Sequence, residues 1–219
     1  MSGNSATGTG PVLVGAGGQL SGTGTISGAL TVAGILKPGN SPGYLMAMST
    51  VTMSNGSTYL QDIAGKQQAD TTTPVGATGY YSYLLVAGSP FVISPGAVLS
   101  PRLANLFSPS ESGYGSAPFN PVLGDRFRIV TADGGISGKF STVIQPAELA
   151  VGTQFLPFYN MEGSNSIDLA VIPKSYLTTL STDYGNKNAQ SVGSALDKMV
   201  LASQVGTSTA AQDQLLYAT

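Results

Sequence analysis

Short apolar runs interrupted by glycine constrain this chain more than any other feature. Between residues 11 and 48 the apolar pieces, such as Val12-Leu13-Val14 and Ala29-Leu30-Thr31-Val32, are three or four residues long, and segments of Gly, Ser and Thr separate them. Such short pieces with frequent turns are typical of a solenoid whose coils bend several times. Stacking of neighbouring coils, about 4.8 Å apart, would bury their Leu, Val and Ile side chains in a continuous core.

The composition favours an all-β fold and narrows the range of functions. Only 9% of the 219 residues are charged, so the charged surface typical of helical domains is missing. Cysteine and histidine are absent, which excludes disulfides and thiolate chemistry and removes the commonest general base. Nine scattered basic residues and a net charge of -2 predict no nucleic-acid binding, and no apolar run is long enough to predict membrane insertion by this sequence.

Turn signals continue through the middle of the chain. Strand-like alternation flanks Asn55-Gly56 and Gly88-Ser89-Pro90, and Asp133-Gly134 is a dipeptide typical of hairpin turns. Two stretches, a polar one at 64–78 and a Ser-, Pro- and Gly-rich one at 105–121, predict surface loops.

The pattern changes near Pro173. Glycine becomes rarer beyond this residue, and apolar residues recur at helical spacing from Ser175 to about Leu201. A second helical pattern runs from Ala210 to Tyr217. The last part of the chain is therefore predicted to be helical.

The most unusual motif is Gly34-Ile35-Leu36-Lys37-Pro38-Gly39-Asn40-Ser41-Pro42-Gly43. Its prolines hold φ near −65° while Gly39 and Gly43 can adopt positive φ, so it predicts two tight turns followed by a strand at Tyr44-Leu45. A rigid corner of this kind would set the register between coils. The alternative interpretation is an ordinary Pro-Gly surface loop.

This motif resembles the G-x-L-x-P-G-x-S-P-G signature of the passenger-associated transport repeat in Gram-negative autotransporters. Residues 22–28 resemble the coil that precedes it in that family, and residues 124–129 and 134–140 resemble later strands of the passenger end. Residues 186–197 are similar to a helix that lies shortly before the translocator. The family often has Asp before the strand at Leu84-Leu85, where this chain has Tyr81-Ser82-Tyr83.

The resemblance implies an all-β fold, a right-handed parallel β-helix (solenoid) that ends in antiparallel hairpins and is followed by a short α-helical C-terminal segment. It divides the chain into a flexible N-terminal cut end at 1–10, a β-helical passenger end with an autochaperone-like region at 11–173, and a helical linker toward a translocator β-barrel at 174–219. At roughly 20 to 30 residues per coil, six to eight coils are expected. The expected folding core contains Phe127, Ile129 and Phe140.

The implied function is structural. The chain would be a non-enzymatic segment of a secreted passenger of type V secretion, supporting export through the outer membrane and β-helix folding at the cell surface. Its partners would be its own translocator β-barrel and the upstream passenger. The alternative is an adhesin-type binding module, a virulence factor that contacts a host surface protein or glycan. Two aromatic groups, Tyr80-Tyr81-Tyr83 and Phe155-Phe158-Tyr159, would suit such contacts if exposed, whereas core packing is the other interpretation.

Motifs that resemble catalytic sites lack essential parts. Residues 39–43 match G-x-S-x-G, but no histidine is present to activate Ser41, and Pro42 lacks the N–H of an oxyanion hole. At Gly138-Lys139 the next residue is Phe140 rather than the Ser or Thr of a phosphate-binding loop. The carboxylates are spread without the close pairs of glycosidases or calcium motifs. The sequence predicts no catalytic residue, cofactor or metal site.

Overall fold

The computed structural model describes residues 8–219, so the flexible end predicted at 1–10 falls largely outside the described residues. Most of the strands are two to five residues long, as the glycine-interrupted pattern predicts. In chain order the strands are β1 (Val12–Val14), β2 (Gln19–Gly22), β3 (Gly24–Ile26), β4 (Leu30–Val32), β5 (Ile35–Pro38), β6 (Tyr44–Ala47), β7 (Val51–Met53), β8 (Thr58–Asp62), β9 (Gln67–Gln68), β10 (Tyr80–Tyr81), β11 (Tyr83–Val86), β12 (Phe91–Ile93), β13 (Val98–Arg102), β14 (Arg126–Ala132), β15 (Ile136–Ser137), β16 (Thr142–Val143), β17 (Thr153–Tyr159) and β18 (Ser166–Pro173).

Three large sheets organise these strands. The first has the order β1-β4-β7-β12-β15, the second β2-β5-β8-β13-β16, and the third β3-β6-β11-β14-β18-β17, while β9 and β10 form a separate pair. All neighbours in the first two sheets are parallel. The third sheet is parallel from β3 to β14 and antiparallel from β14 to β17. The chain thus visits the three sheets in turn and adds one strand to each on every pass.

Several turn signals connect different sheets. The Asn55-Gly56 turn lies between β7 and β8, and Asp133-Gly134 lies between β14 and β15. The prediction of a hairpin at Asp133-Gly134 is therefore wrong, because the tight turn there redirects the chain into the neighbouring sheet. A tight turn is a local property, whereas the pairing of the strands that it joins is decided by the rest of the fold.

The parallel stacks are also smaller than predicted. Within residues 8–219 each large sheet holds four or five parallel strands, whereas six to eight coils were expected. The number of residues between paired positions increases along the stack. Leu30 pairs with Val51, whereas Phe91 pairs with Ile136. The additional residues form the long connections that contain the loops predicted at 64–78 and 105–121.

A continuous hydrophobic core lies between the sheets. Leu30, Val51 and Phe91 occupy matching positions of the first sheet and are fully buried. From the third sheet, Phe127 and Ile129 are fully buried as well. A register shift in β14 between Arg128 and Val130 lets two consecutive residues, Ile129 and Val130, both be buried, as a bulge permits.

Aromatic rings in edge-to-face contact fill the last part of this core. The Phe127 ring packs edge-on against Tyr81 at 5.3 Å and against Phe155 at 6.2 Å between ring centroids. Phe140, which is also buried, packs against Tyr59. Burial of this kind is what the expected folding core requires, while its role in the order of folding stays a prediction.

Three helices follow the last strand, so the predicted helical C-terminal part is present. They are α1 (Tyr176–Tyr184), α2 (Lys187–Gln204) and α3 (Ala210–Ala218). The pattern predicted from Ser175 to Leu201 is divided between α1 and α2 by Gly185, which has φ 63°. Among the helices of residues 8–219, none is long and apolar enough to cross a membrane.

The helices pack on the outer face of β17 and β18. Leu156 and Phe158 of β17 and Ile172 of β18 form a second apolar cluster with helical residues that include Leu196 and Tyr217. All eight residues of β18 are buried, because the core covers one face of this strand and the helices cover the other. The molecule is therefore mostly β, with parallel sheets and a short helical part folded back onto the final strands.

Candidate functional site

The motif at 34–43 forms a buried corner between β5 and β6. Its turn begins at Gly39, which has φ 81°, and contains Ser41, which has φ 52°, followed by a cis Ser41–Pro42 peptide bond. The strand predicted at Tyr44-Leu45 is present as β6. Positive φ was expected at Gly39 and Gly43, but the structure places it at Gly39 and Ser41.

Glycine is required in this corner because backbone segments approach closely. A Cβ atom at Gly39 would lie 2.4 Å from the Cα of Gly43, and one at Gly34 would lie 2.2 Å from the carbonyl oxygen of Gly18. Gly39 also exchanges two backbone hydrogen bonds with Gly22 in the preceding pass, at 2.9 and 3.0 Å. The corner is therefore stacked directly on an earlier turn.

Most of the motif is packed rather than exposed. The motif residues Gly34, Leu36, Pro38, Gly39, Ser41, Pro42 and Gly43 are buried, and Asn40 is the exposed member. This burial does not fit the alternative of an ordinary surface loop. A packed corner can transmit register to its neighbours, since a change in it moves the strands on both sides.

A buried carboxylate connects the corner to two further strands. Asp62, at the end of β8, is fully buried, and its Oδ1 accepts hydrogen bonds from Arg102 Nε at 2.9 Å and Nη2 at 2.6 Å. Lys37 Nζ lies 3.3 Å from Asp62 Oδ2, as an ion pair rather than an aligned hydrogen bond. These residues belong to β5, β8 and β13, which are neighbours in the second sheet. A buried carboxylate is tolerable only when cations and donors surround it in this way.

Lys37 also donates a hydrogen bond to Ser41 Oγ at 2.5 Å. A lysine beside a serine was missed by sequence reasoning, which considered only histidine as a partner for Ser41. The spacing Lys37 to Ser41 was visible, but it gains meaning only from the turn that brings the two side chains together. In this arrangement Lys37 acts as a donor that is also paired with Asp62, and Ser41 is 3% exposed. The contacts therefore tie the corner to the sheet and leave Ser41 without a free base or open access.

Ser82 completes the polar surroundings of the corner. Its Oγ accepts a hydrogen bond from Gly43 N at 3.3 Å, and its backbone N–H donates to the carbonyl oxygen of Asp62 at 2.8 Å. Gln61 Nε2 donates to the carbonyl oxygen of Ser82 at 2.7 Å. Ser82 lies in the segment where the autotransporter pattern often has Asp. A hydroxyl group therefore accepts the hydrogen bond of the corner in this chain.

A second charged cluster lies where α3 meets the third sheet. Asp168 of β18 forms two hydrogen bonds with Arg128, at 2.9 and 3.1 Å, and accepts a third from the hydroxyl of Tyr217 at 2.7 Å. Burial alone would raise the pKa of Asp168, but these hydrogen bonds outweigh it and lower the pKa below its ordinary value. The guanidinium of Arg126 stacks 4.3 Å from the centre of the Tyr217 ring.

The helix that resembles the pre-translocator segment contributes a cap. Asp197 of α2 accepts hydrogen bonds from Ser175 Oγ at 2.8 Å and from the backbone N–H of Tyr176 at 2.6 Å. A carboxylate at a helix N-terminus satisfies N–H groups that have no partner within the helix. Asp197 therefore holds α1 against α2.

A groove of about 630 Å³ lies between the ends of the sheets and the end of α2. Its lining is mainly apolar and includes Phe140, Phe155, Pro157 and Val205, with Lys139 as the cation and no Asp or Glu. Lys139 is paired with Asp213 at 3.2 Å. In residues 8–219 no group of three carboxylates lies close enough together to hold a metal ion. The groove thus has the size of a ligand site, and its charged lining consists of the single cation Lys139.

The two aromatic groups of the sequence are used mainly in packing. Tyr81, Phe155 and Phe158 are buried, while Tyr80, Tyr83 and Tyr159 are partly buried. Burial raises the pKa of Tyr159, whose hydroxyl accepts a hydrogen bond from the backbone N–H of Phe140 at 3.0 Å. These contacts favour core packing over an exposed aromatic patch.

No protein-family model matches this chain, and no curated protein is significantly similar to it. The resemblance to autotransporter passengers therefore rests on the sequence motifs alone.

Proposed function

We propose that this chain is a non-enzymatic, β-helical part of an exported autotransporter passenger that supports folding of the passenger at the cell surface. The corner at 34–43 is the observation that carries the proposal. The residues that match the transport-repeat signature are the ones that build a buried turn between β5 and β6. A motif that was only a chance Pro-Gly loop would have no reason to be packed in this way.

The path of the chain supports the proposed solenoid. One strand is added to each of the three large sheets on each pass, which is the connectivity of a parallel β-helix with one coil per pass. A right-handed path is expected for parallel crossovers. Antiparallel pairing of β14, β18 and β17 then ends the stack.

The proposed role in folding follows from how a solenoid grows. An unfinished coil exposes unpaired strand edges and an open core, so a stable terminal unit both nucleates further coils and limits aggregation. The region from Tyr80 to Pro173 contains the longest strands and the Phe127 cluster. We propose that it folds early and acts as a template for the residues before it.

Localisation and partners follow from this proposal. The chain would act at the cell surface or in secreted form, with the upstream passenger and the translocator as partners. No specific observation supports the alternative of an adhesin-type module, because the aromatic groups that could contact a host ligand are largely packed.

The test compares surface display of two aromatic truncations in a Gram-negative cell expressing the complete gene. Phe127→Ala should strongly reduce protease-resistant passenger at the surface, because Phe127 is fully buried at the centre of the aromatic cluster. Tyr114→Ala is the matched control, since Tyr114 is 61% exposed. Wild-type display of Phe127→Ala, combined with a measured loss of stability in the purified chain, would contradict the proposed role in folding.

A further inference from the structure

At the outer edge of β17 a glutamine side chain forms the hydrogen bonds that a neighbouring strand would form. Gln145 lies in the segment between β16 and β17, and its Oε1 accepts a hydrogen bond from the backbone N–H of Phe155 at 2.8 Å. Its Nε2 donates to the carbonyl oxygen of the same residue at 2.9 Å. One amide side chain therefore satisfies both backbone groups of Phe155, as a residue of a neighbouring strand would.

The pairing of β17 with β18 shows which residues of β17 have backbone N–H and C=O groups that face its free edge. Backbone hydrogen bonds join Lys174 to Gly152 and Asn160 to Ser166, across the two ends of the pair. Because such pairs alternate along an antiparallel ladder, the even-numbered residues of β17 face β18. The odd-numbered residues, which are Thr153, Phe155, Pro157 and Tyr159, direct their backbone groups outward.

Three of these four outward positions offer no free N–H group. Thr153 donates its N–H to the carbonyl oxygen of Ala150 at 3.1 Å. Phe155 donates to Gln145 at 2.8 Å. Pro157 has no N–H at all. An incoming strand would therefore find almost no donors along this edge.

We propose that Gln145 and Pro157 close the edge of β17 and thereby prevent a second copy of this chain from adding a strand to the third sheet. Steric cover is incomplete, because the groove of about 630 Å³ runs beside Gln145, Phe155 and Pro157. Because open space lies beside this edge, its hydrogen-bonding capacity decides whether an incoming strand can pair there. This inference does not depend on the proposed role in export.

The experiment uses the whole 219-residue chain as wild type, as Gln145→Ala, as the double variant Gln145→Ala with Pro157→Val, and as Gln190→Ala. Gln190 is an exposed glutamine on α2 and serves as the matched control. Sedimentation velocity over a range of concentrations reports self-association. Amide hydrogen exchange, followed by NMR, reports the Phe155 N–H directly.

We expect exchange of the Phe155 amide to become about fivefold faster in Gln145→Ala, since one hydrogen bond contributes on the order of 1 kcal/mol and about 1.4 kcal/mol corresponds to a factor of ten. The Leu156 amide, which faces β18, should not change. The double variant should form concentration-dependent dimers or larger species, while wild type and Gln190→Ala remain monomeric.

Two outcomes would overturn the proposal. Unchanged exchange at Phe155 in Gln145→Ala would mean that the side chain does not protect the edge, and this result is informative even if the double variant fails to fold. Self-association of the double variant no stronger than that of wild type, with the Phe155 amide exposed, would mean that these residues do not decide pairing.

Discussion

The two ends of the stacked sheets differ in the length and pairing of their outermost strands. At the first end lie β1, β2 and β3, which are three or four residues long. No strand within residues 8–219 pairs with their outer edges, and Leu13 of β1 is 73% exposed. At the other end of the third sheet, β17 and β18 are seven and eight residues long and antiparallel. We call the end at β1, β2 and β3 the open end, and the end at which the third sheet finishes in the antiparallel pair of β17 and β18 the closed end. Within residues 8–219, β15 and β16, which end the other two sheets, also have no further partner strand.

The difference illustrates how the two ends of a stack of parallel strands can become unequal. Parallel stacking alone makes both ends equivalent in their hydrogen bonding. Reversal of the chain between β17 and β18, the Gln145 amide, Pro157 and the packed helices together remove this equivalence. If the proposed closure of β17 holds, we expect further strands to be added beside β1, β2 and β3 rather than beside β17.

The largest expected effect tests whether the closed end is also the more stable one. Phe127→Ala should lower the free energy of unfolding by about 3 to 5 kcal/mol, because a fully buried ring is replaced by a cavity. Urea unfolding of the purified chain, followed by circular dichroism, measures this change. A loss below about 1 kcal/mol would show that the aromatic cluster contributes little.

Two leucines, one near each end, allow the same comparison of stability with one kind of substitution. Leu169 on β18 is fully buried, whereas Leu20 on β2 is 6% exposed. Leu169→Ala should cost more than Leu20→Ala within the usual range of about 2 to 5 kcal/mol, because the open end supplies neighbours on one side only. Equal losses would remove the proposed gradient of stability.

The next effect concerns the ion pairs near the corner, in the half of the stack closer to the open end. Asp62→Ala should cost about 2 to 4 kcal/mol, because it leaves Lys37 and Arg102 partly buried without their carboxylate. The loss should be smaller than for a fully buried pair, since the side chain of Arg102 is 31% exposed and solvent screens its charge. Asp62→Asn, measured by the same unfolding assay, separates loss of charge from loss of volume. A loss larger than that of Phe127→Ala would place the more stable region near the corner.

A smaller effect is expected where α3 is attached to the closed end. Tyr217→Phe removes the hydrogen bond to Asp168 and should cost about 1 to 2 kcal/mol near pH 7, as for a bond to a charged group. The pKa of Asp168 is lowered in the folded protein. Its contribution to stability is therefore present above the unfolded pKa, about 3.9, and is lost as the pH falls through the folded value.

Unfolding of wild type and Tyr217→Phe at several pH values checks this assignment. The difference between the two proteins should shrink in acid, since protonation of Asp168 removes the charge that strengthens the bond. A difference that stays constant from neutral to strongly acidic pH would show that Asp168 is not the group involved.

The smallest effect is expected for Lys66→Ala. The sequence placed Lys66 in a polar loop, and the structure adds an ion pair with Asp125 at 2.6 Å. The side chain of Lys66 is 60% exposed, so solvent and salt screen this pair, and its loss should change stability by less than about 1 kcal/mol. A larger loss in the urea assay would mean that the loop at 64–78 contributes more to the fold than its exposure indicates.

Local patterns in the sequence determined the features that depend on neighbouring residues. Short strands follow from apolar runs broken by glycine, the corner follows from the φ preferences of Pro38 and Gly39, and the helices beyond Pro173 follow from apolar spacing. Each of these depends on interactions over a few residues. For the same reason the tight turn at Asp133-Gly134 was predictable, whereas the sheet that its second strand joins was not.

Only the tertiary structure decided which distant residues meet. Asp62 pairs with Arg102 because β8 and β13 lie side by side in register, and nothing in the residues around Asp62 indicates that partner. Likewise, Gln145 is an ordinary polar residue in sequence and becomes the closure of a sheet edge only beside Phe155. Buried polar groups and the backbone groups of a sheet edge need hydrogen-bond partners. Which groups become buried or lie at an edge is decided only when the strands have stacked.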